Sequence, residues 1–237
     1  MKKHLSVFTL IAHHSIYKVM LLLLVMVGAE IGIFFRFVHR NPGTGFSLAL
    51  ELNHTFWIFS AALLLVTLIL TRTGKTFVTG GNYTVQRLSI SEKTFFYWMA
   101  LYHSICFLLV WAVQLAVIFF LGQYYYSQID GTLLNSQKLL LAFYSDNFLH
   151  SLLPLEDIIV WYANAAAVAA LGCTTAYFPF LIREHRFPGA ASFILSMTIL
   201  FFCRENGVFM LNAGMIFFSI LAILSTLYNL YFGRKEV

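Results

Sequence analysis

Glu30 is the one carboxylate set deep in a long apolar run, VMLLLLVMVGAEIGIFF. It stands between Gly28 and Gly32, small residues that let another helix approach closely. An acid in such a run is a candidate for proton or ion handling. It is protonated, pairs with a basic group or faces a wet cavity, and near the outer end of its run hydration is the plain alternative. His103 and Gln114 lie eleven residues apart in a second run. That is three helical turns, which places both on one face. Asn164 and Asn212, in two further runs, are positioned to join them across helices. Interhelical hydrogen bonds of this kind contribute about 0.6 kcal/mol each. Two roles are open for this polar set: pairing between helices, or a path for a substrate or ion.

Catalytic chemistry finds little support. Membrane hydrolases and metalloenzymes need an acid, a base and a nucleophile or metal ligands in one cluster. HExxH and GxSxG are absent, and the eight histidines are dispersed. His13 and His14 are adjacent and point in different directions on a helix, and His185 follows Glu184 without a partner histidine. Gly74-Lys75-Thr76 spells the end of a phosphate-binding loop, but the pattern needs a glycine where Ile69 stands, and an apolar run precedes it instead of a buried strand. Nucleotide binding by this chain is therefore not expected, nor is a metal. Cys106, Cys173 and Cys203 lie within or at the end of apolar runs without metal-ligand spacing and read as packing residues.

These residues must be held by elements whose solvent is lipid. The chain is 60% hydrophobic and only 11% charged, against about 25% charged in ordinary soluble domains. About 20 apolar residues carry a helix across the hydrocarbon core. Such runs occur at 19–37, 55–71, 94–121, 155–182, 189–203 and 208–232, the fifth being the shortest. They are continuous and lack the regular turn signals of barrel strands, and a spanning backbone must satisfy its own hydrogen bonds. The reading is an all-α membrane protein with six transmembrane helices. The first run is too long for a cleaved signal peptide and no small-residue cleavage site follows it.

Charge sets the expected orientation. Of 15 Lys and Arg, only Arg36, Arg40, Lys138 and Arg204 fall on the face opposite the N-terminus. The bias places both termini on the cytoplasmic side of the cell membrane. The net charge of +5 then reflects topology, and nucleic acid is not an expected partner. Trp57, Trp161, Tyr124, Tyr125 and Tyr126 fall near the outer interface, where amphipathic aromatics are favoured. Most of the 25 phenylalanines are expected to fill lipid-facing surface.

The connections carry further signals. Residues 1–18 place Leu5, Phe8, Ile11 and Ala12 at helical spacing beside Lys2 and Lys3, predicting an interfacial helix before a transmembrane domain at 19–237. In the inner loop 72–93, Gly80-Gly81 should break any helix, and Asn82 then caps a short one near 83–88. Ser89 and Glu92 have capping-box spacing at the start of the third span. In the outer loop, Leu140, Tyr144 and Phe148 recur every four residues, predicting a helix lying on the outer face. Pro154, Glu156 and Asp157 mark the start of the fourth span. That span carries two stripes of small residues, Ala165–Ala169–Cys173 and Ala163–Ala167, suited to close packing.

Six spans, a basic amphipathic segment before the first, and GGNYTVQRLSISEKTFFYW leading into a long third span resemble the permease subunit of type-2 ABC transporters. The resemblance covers the layout of the whole chain; in letters it rests on residues 80–98. It implies a coupling helix at Tyr83, Thr84, Gln86, Arg87 and Leu88 that touches a separate ATP-binding subunit. It also implies a second permease chain, ATP and Mg bound by the partner, and export through a path shared by the two permeases. The chain departs from the family between spans five and six, where only a few polar residues stand in place of a re-entrant helical pair. A carrier coupled to protons or ions through Glu30 and His103, and an intramembrane enzyme, are the alternative readings.

Overall fold

The computed structural model describes residues 2–41, 44–78, 91–129, 135–155, 157–186, 189–202 and 209–232. Among these residues the chain forms nine helices and no strand: α1 (Lys2–Arg40), α2 (Phe46–Leu52), α3 (Thr55–Val78), α4 (Glu92–Ile129), α5 (Asn135–Ser145), α6 (Asn147–Leu152), α7 (Ile158–Arg183), α8 (Gly189–Phe202) and α9 (Phe209–Phe232). Five of them, α1, α3, α4, α7 and α9, are long and apolar enough to cross a membrane. That is the architecture of a multi-pass membrane protein. The run at 189–203 forms the 14-residue α8. At about 1.5 Å per residue it rises about 21 Å, short of the roughly 30 Å hydrocarbon core.

Residues 2–18 are continuous with the first long helix, so no break separates an interfacial segment from it. The reason lies in the packing. Val7, Ile11, Ser15, Val19, Leu23, Met26, Glu30 and Phe34 are all buried, at steps of three or four residues along a single seam. α1 lays that seam against α4 and α3. Helix α7 is the hub, packed against α3, α4, α8 and α9. Small residues allow this. Ala163, Ala167 and Ala170 are buried, whereas Ala165 is exposed, so only the Ala163–Ala167 stripe is the packing face.

Glycine marks the closest approaches, at other positions than the sequence suggests. A Cβ on Gly172 would collide with Ser104 Oγ and stand 2.9 Å from the Ser104 backbone nitrogen. One on Gly74 would stand 2.7 Å from Pro179 Cγ. Helix α7 therefore meets α4 almost backbone to backbone at Gly172, and its Pro179 ring rests on the α3 backbone at Gly74. At Gly28 and Gly32 an added Cβ would meet nothing within 4 Å, so among the described residues of this chain no helix makes the expected close approach beside Glu30.

The aromatic residues also differ from expectation. Phe34, Phe59, Phe96, Phe107, Phe143 and Phe180 are among the largest fully buried side chains. Tyr125 is buried against Phe34 and Phe46 and donates its hydroxyl to Thr44 O, so it is not an interfacial anchor. Buried rings fill volume between helices that small residues elsewhere bring into contact.

Helix ends show several local shifts. Ser91 caps α4: its Oγ accepts the Thr94 N–H at 3.3 Å and lies 2.8 Å from Thr94 Oγ1. The helix begins at Glu92, and Ser89, the expected cap, lies outside the described residues. Helix α7 begins at Ile158, after Asp157, so Pro154 sits in the preceding turn and not in the first helical turn. At its other end His185 adopts φ 55°, a left-handed conformation usually given to glycine. The Arg186 N–H bonds Leu181 O at 2.9 Å and the His185 N–H bonds Ile182 O at 3.1 Å, closing the Schellman pattern.

Candidate functional site

The polar side chains of the bundle fall into three separate groups, all hung on α4. The first joins α4 to α1. Gln114 Nε2 donates to Glu30 Oε2 at 3.1 Å, and both residues are buried, at 0% and 2% exposure. Glu30 arrives there because it continues the α1 seam four residues after Met26. The pair leaves two oxygens, Glu30 Oε1 and Gln114 Oε1, buried with no hydrogen-bond partner. Buried polar atoms are rarely left so. The arrangement presents two acceptors to whatever donor or cation enters.

The second group joins α4 to α7. His103 Nδ1 lies 3.0 Å from Thr175 Oγ1, and both are buried. Thr175 Oγ1 is also 2.6 Å from Leu171 O, which commits its proton to that carbonyl. His103 Nδ1–H is therefore the donor to Thr175. One residue earlier in the chain, on the α1 side, Ser15 Oγ donates to Tyr102 OH at 2.8 Å. His103 and Gln114 thus have different helices as partners, and about 16 Å of helical rise separates them. They do not form one site.

The third group fastens the outer connection. Helices α5 and α6 run back alongside α4: Leu139 sits against Gly122, and Phe143 stacks on Phe119 at 5.0 Å between centroids. The segment therefore stands beside α4 and does not simply lie across the outer face. Its buried side is Leu139, Ala142 and Phe143, while Leu140 and Tyr144 are exposed. The helix breaks at Asp146, whose carboxylate accepts the Leu149 N–H at 2.9 Å and so starts α6. The last carbonyls of a helix have no partner within it. Here Asn164 Nδ2 donates to Ser151 O at 3.0 Å, Trp111 Nε1 to Leu152 O at 3.0 Å, and Trp161 Nε1 to Pro154 O at 2.6 Å. The two indoles meet edge to face, 5.6 Å between centroids. Asn164 is therefore a clamp on the outer connection and no partner of His103 or Gln114. Its Oδ1 remains unpaired beside a small cavity of about 20 Å³ lined by Phe59, Phe107, Trp111 and Thr198.

Asn212 is half-buried on α9 and takes no part in these bonds. Tyr83, Thr84, Gln86, Arg87 and Leu88, the expected coupling contacts, lie outside the described residues, as do Gly80, Gly81, Asn82, Glu156, Cys203 and Arg204. Next to that connection, Arg183 at the end of α7 grips Glu92 at the start of α4 with both terminal nitrogens, at 3.0 and 3.3 Å. Among the described residues no three of His, Cys, Asp and Glu converge in a way that would hold a metal ion.

Sequence reasoning missed Thr175, Trp111 and the carbonyls of Ser151 and Leu152. A threonine or a tryptophan in an apolar run carries no signal of its partner, and a free carbonyl is visible only once the helix end is known. The chain matches no protein-family model, no curated protein and no solved structure.

Proposed function

We propose that this chain is the permease subunit of an ATP-driven exporter of the type-2 ABC kind, embedded in the cell membrane with both termini in the cytoplasm. In this reading α8 is the fifth of six crossings, the span expected at 189–203. Residues 2–18, the inner end of α1 and continuous with the first crossing, carry the basic segment to the inner surface. Two permease chains enclose the path, and a separate subunit binds ATP and Mg and drives the cycle through residues 80–93. The long, largely exposed apolar faces of α1 and α9 suit lipid and a second permease.

The observation that supports the reading best is the Glu92–Arg183 pair. It ties the foot of α4, where the 80–93 connection ends, to the foot of α7, the hub of the bundle. A push on that connection would thus reach every helix that α7 touches. Both side chains are partly exposed, so the pair is a geometric tie worth at most about 1 kcal/mol. The test is affinity purification of the tagged chain from its native membrane. A P-loop ATPase should accompany it in near-equal amount and be lost with Arg87→Glu combined with Leu88→Glu. Recovery of the chain without any such ATPase would overturn the proposal.

A second reading, a proton- or ion-coupled carrier, draws on the two unpartnered oxygens of Glu30 and Gln114. Uptake into liposomes driven by a pH gradient without ATP, and abolished by Glu30→Gln, would favour it over the first.

A further inference from the structure

Between α1 and α3 runs a surface groove of about 350 Å³. Leu21, Leu22 and Val25 form one wall and Leu65 and Ile69 the other, with Tyr17 and Lys18 at one end. The two helices run in opposite directions here. His14 of α1 meets the ring of Phe77 of α3 at 5.2 Å between centroids. Moving four residues forward on α1 reaches Lys18, and moving five back on α3 reaches Arg72. Both steps go the same way along the bundle, by about 6 and about 7.5 Å. Lys18 and Arg72 therefore stand at one level. Arg72 also completes the stripe Leu65, Ile69, Arg72, at the spacing of a single helix face.

The groove is thus apolar along its length and cationic at one end. Lys18 and Arg72 are both exposed, and neither forms an ion pair among the described residues. Tyr17 is 74% exposed, so its hydroxyl is free to donate at the same end. The opposite end, at Val25 and Leu65, has no charge. A soluble anion would find no use for the apolar walls. A zwitterionic lipid would leave the two cations without a net counter-charge. The charge bias of the sequence sets this end on the cytoplasmic side, the leaflet in which anionic lipid attracts basic residues beside membrane helices.

We infer that this groove seats one acyl chain of an anionic phospholipid, with the lipid phosphate held by Lys18, Arg72 and the Tyr17 hydroxyl. The chain lies along Leu21, Val25, Leu65 and Ile69 and covers the seam between the first two long helices. The site requires that the helices cross a membrane, and it is independent of what the protein transports.

Titrating the purified full chain with dioleoylphosphatidylglycerol or with dioleoylphosphatidylcholine, and counting bound lipid by native mass spectrometry, tests the site. The glycerol lipid should bind at least tenfold more tightly. Lys18→Gln and Arg72→Gln should each weaken it about fivefold, and together about twenty-fivefold, at roughly 1 kcal/mol per basic residue. Binding of the choline lipid should not change. Val25→Trp, on the exposed wall, should block the tight site while leaving the chain folded. Equal binding of the two lipids, wild-type binding by the double variant, or wild-type binding by Val25→Trp would each overturn the assignment.

Discussion

The outer clamp and the Glu30–Gln114 pair hang on the same stretch of α4, three residues apart at Trp111 and Gln114. They differ in how completely they are bonded. At the clamp, three side-chain donors meet three backbone carbonyls that the chain geometry would otherwise leave empty. At the pair, one hydrogen bond is made and two buried oxygens go without. A nearly satisfied group stabilises; an unsatisfied one is kept at a cost of stability. The clamp accordingly reads as architecture and the pair as the place to look for chemistry.

The strongest way to break both at once is to move α4. Gly172→Val would drive side-chain carbon into the Ser104 backbone and unseat α4 from α7, costing about 3 kcal/mol as overpacking. Thermal unfolding in detergent should show the loss. Gly28→Val, where the space beside the glycine is open, should lack this steric cost.

A finer test separates the two groups. Trp111→Phe keeps an aromatic ring, though a smaller one, and removes the donor, leaving Leu152 O buried and unpaired. Stability should fall by about 1–3 kcal/mol. Glu30→Gln keeps shape and the bond from Gln114 while replacing the acid. Its unfolding midpoint should stay near wild type, while in the carrier reading the pH-driven uptake is lost. If instead Glu30→Gln destabilises as much as Trp111→Phe, the contrast between architecture and chemistry fails.

The smallest effect concerns pH. Burial holds the Asp146 carboxyl above the usual carboxylate range, against the lowering effect of the Leu149 and Phe148 N–H groups, with a small upward push from Glu51. The folded protein then binds this proton more tightly than the unfolded chain does. The stabilisation is complete below the ordinary carboxylate pKa and is lost as pH rises through the raised value. Asp146→Asn keeps a good cap and should flatten this part of the stability profile across the acid range.

Much of the fold was legible because lipid imposes a coarse rule: long apolar runs must be helices. That rule alone yields α1, α3, α4, α7 and α9, and it singles out Glu30 as unusual. It does not reach the ends. Helix α1 extends to Lys2 because Val7, Ile11 and Ser15 find partners to cover them, which the composition of residues 1–18 does not reveal. Nor does it reach the pairing of faces. His103 and Gln114 share a helical face by spacing, yet one meets Thr175 and the other Glu30, because α4 passes between α7 and α1.

The sequence by itself determined that this is a helical membrane protein and that a few polar groups lie within its apolar runs. Hydropathy and charge are sums over local residues, so they survive without coordinates. The tertiary structure alone decided which glycine is a contact, which asparagine is a clamp and which acid keeps open oxygens. Those are properties of two helices at once, set by how α7 seats against α3 and α4.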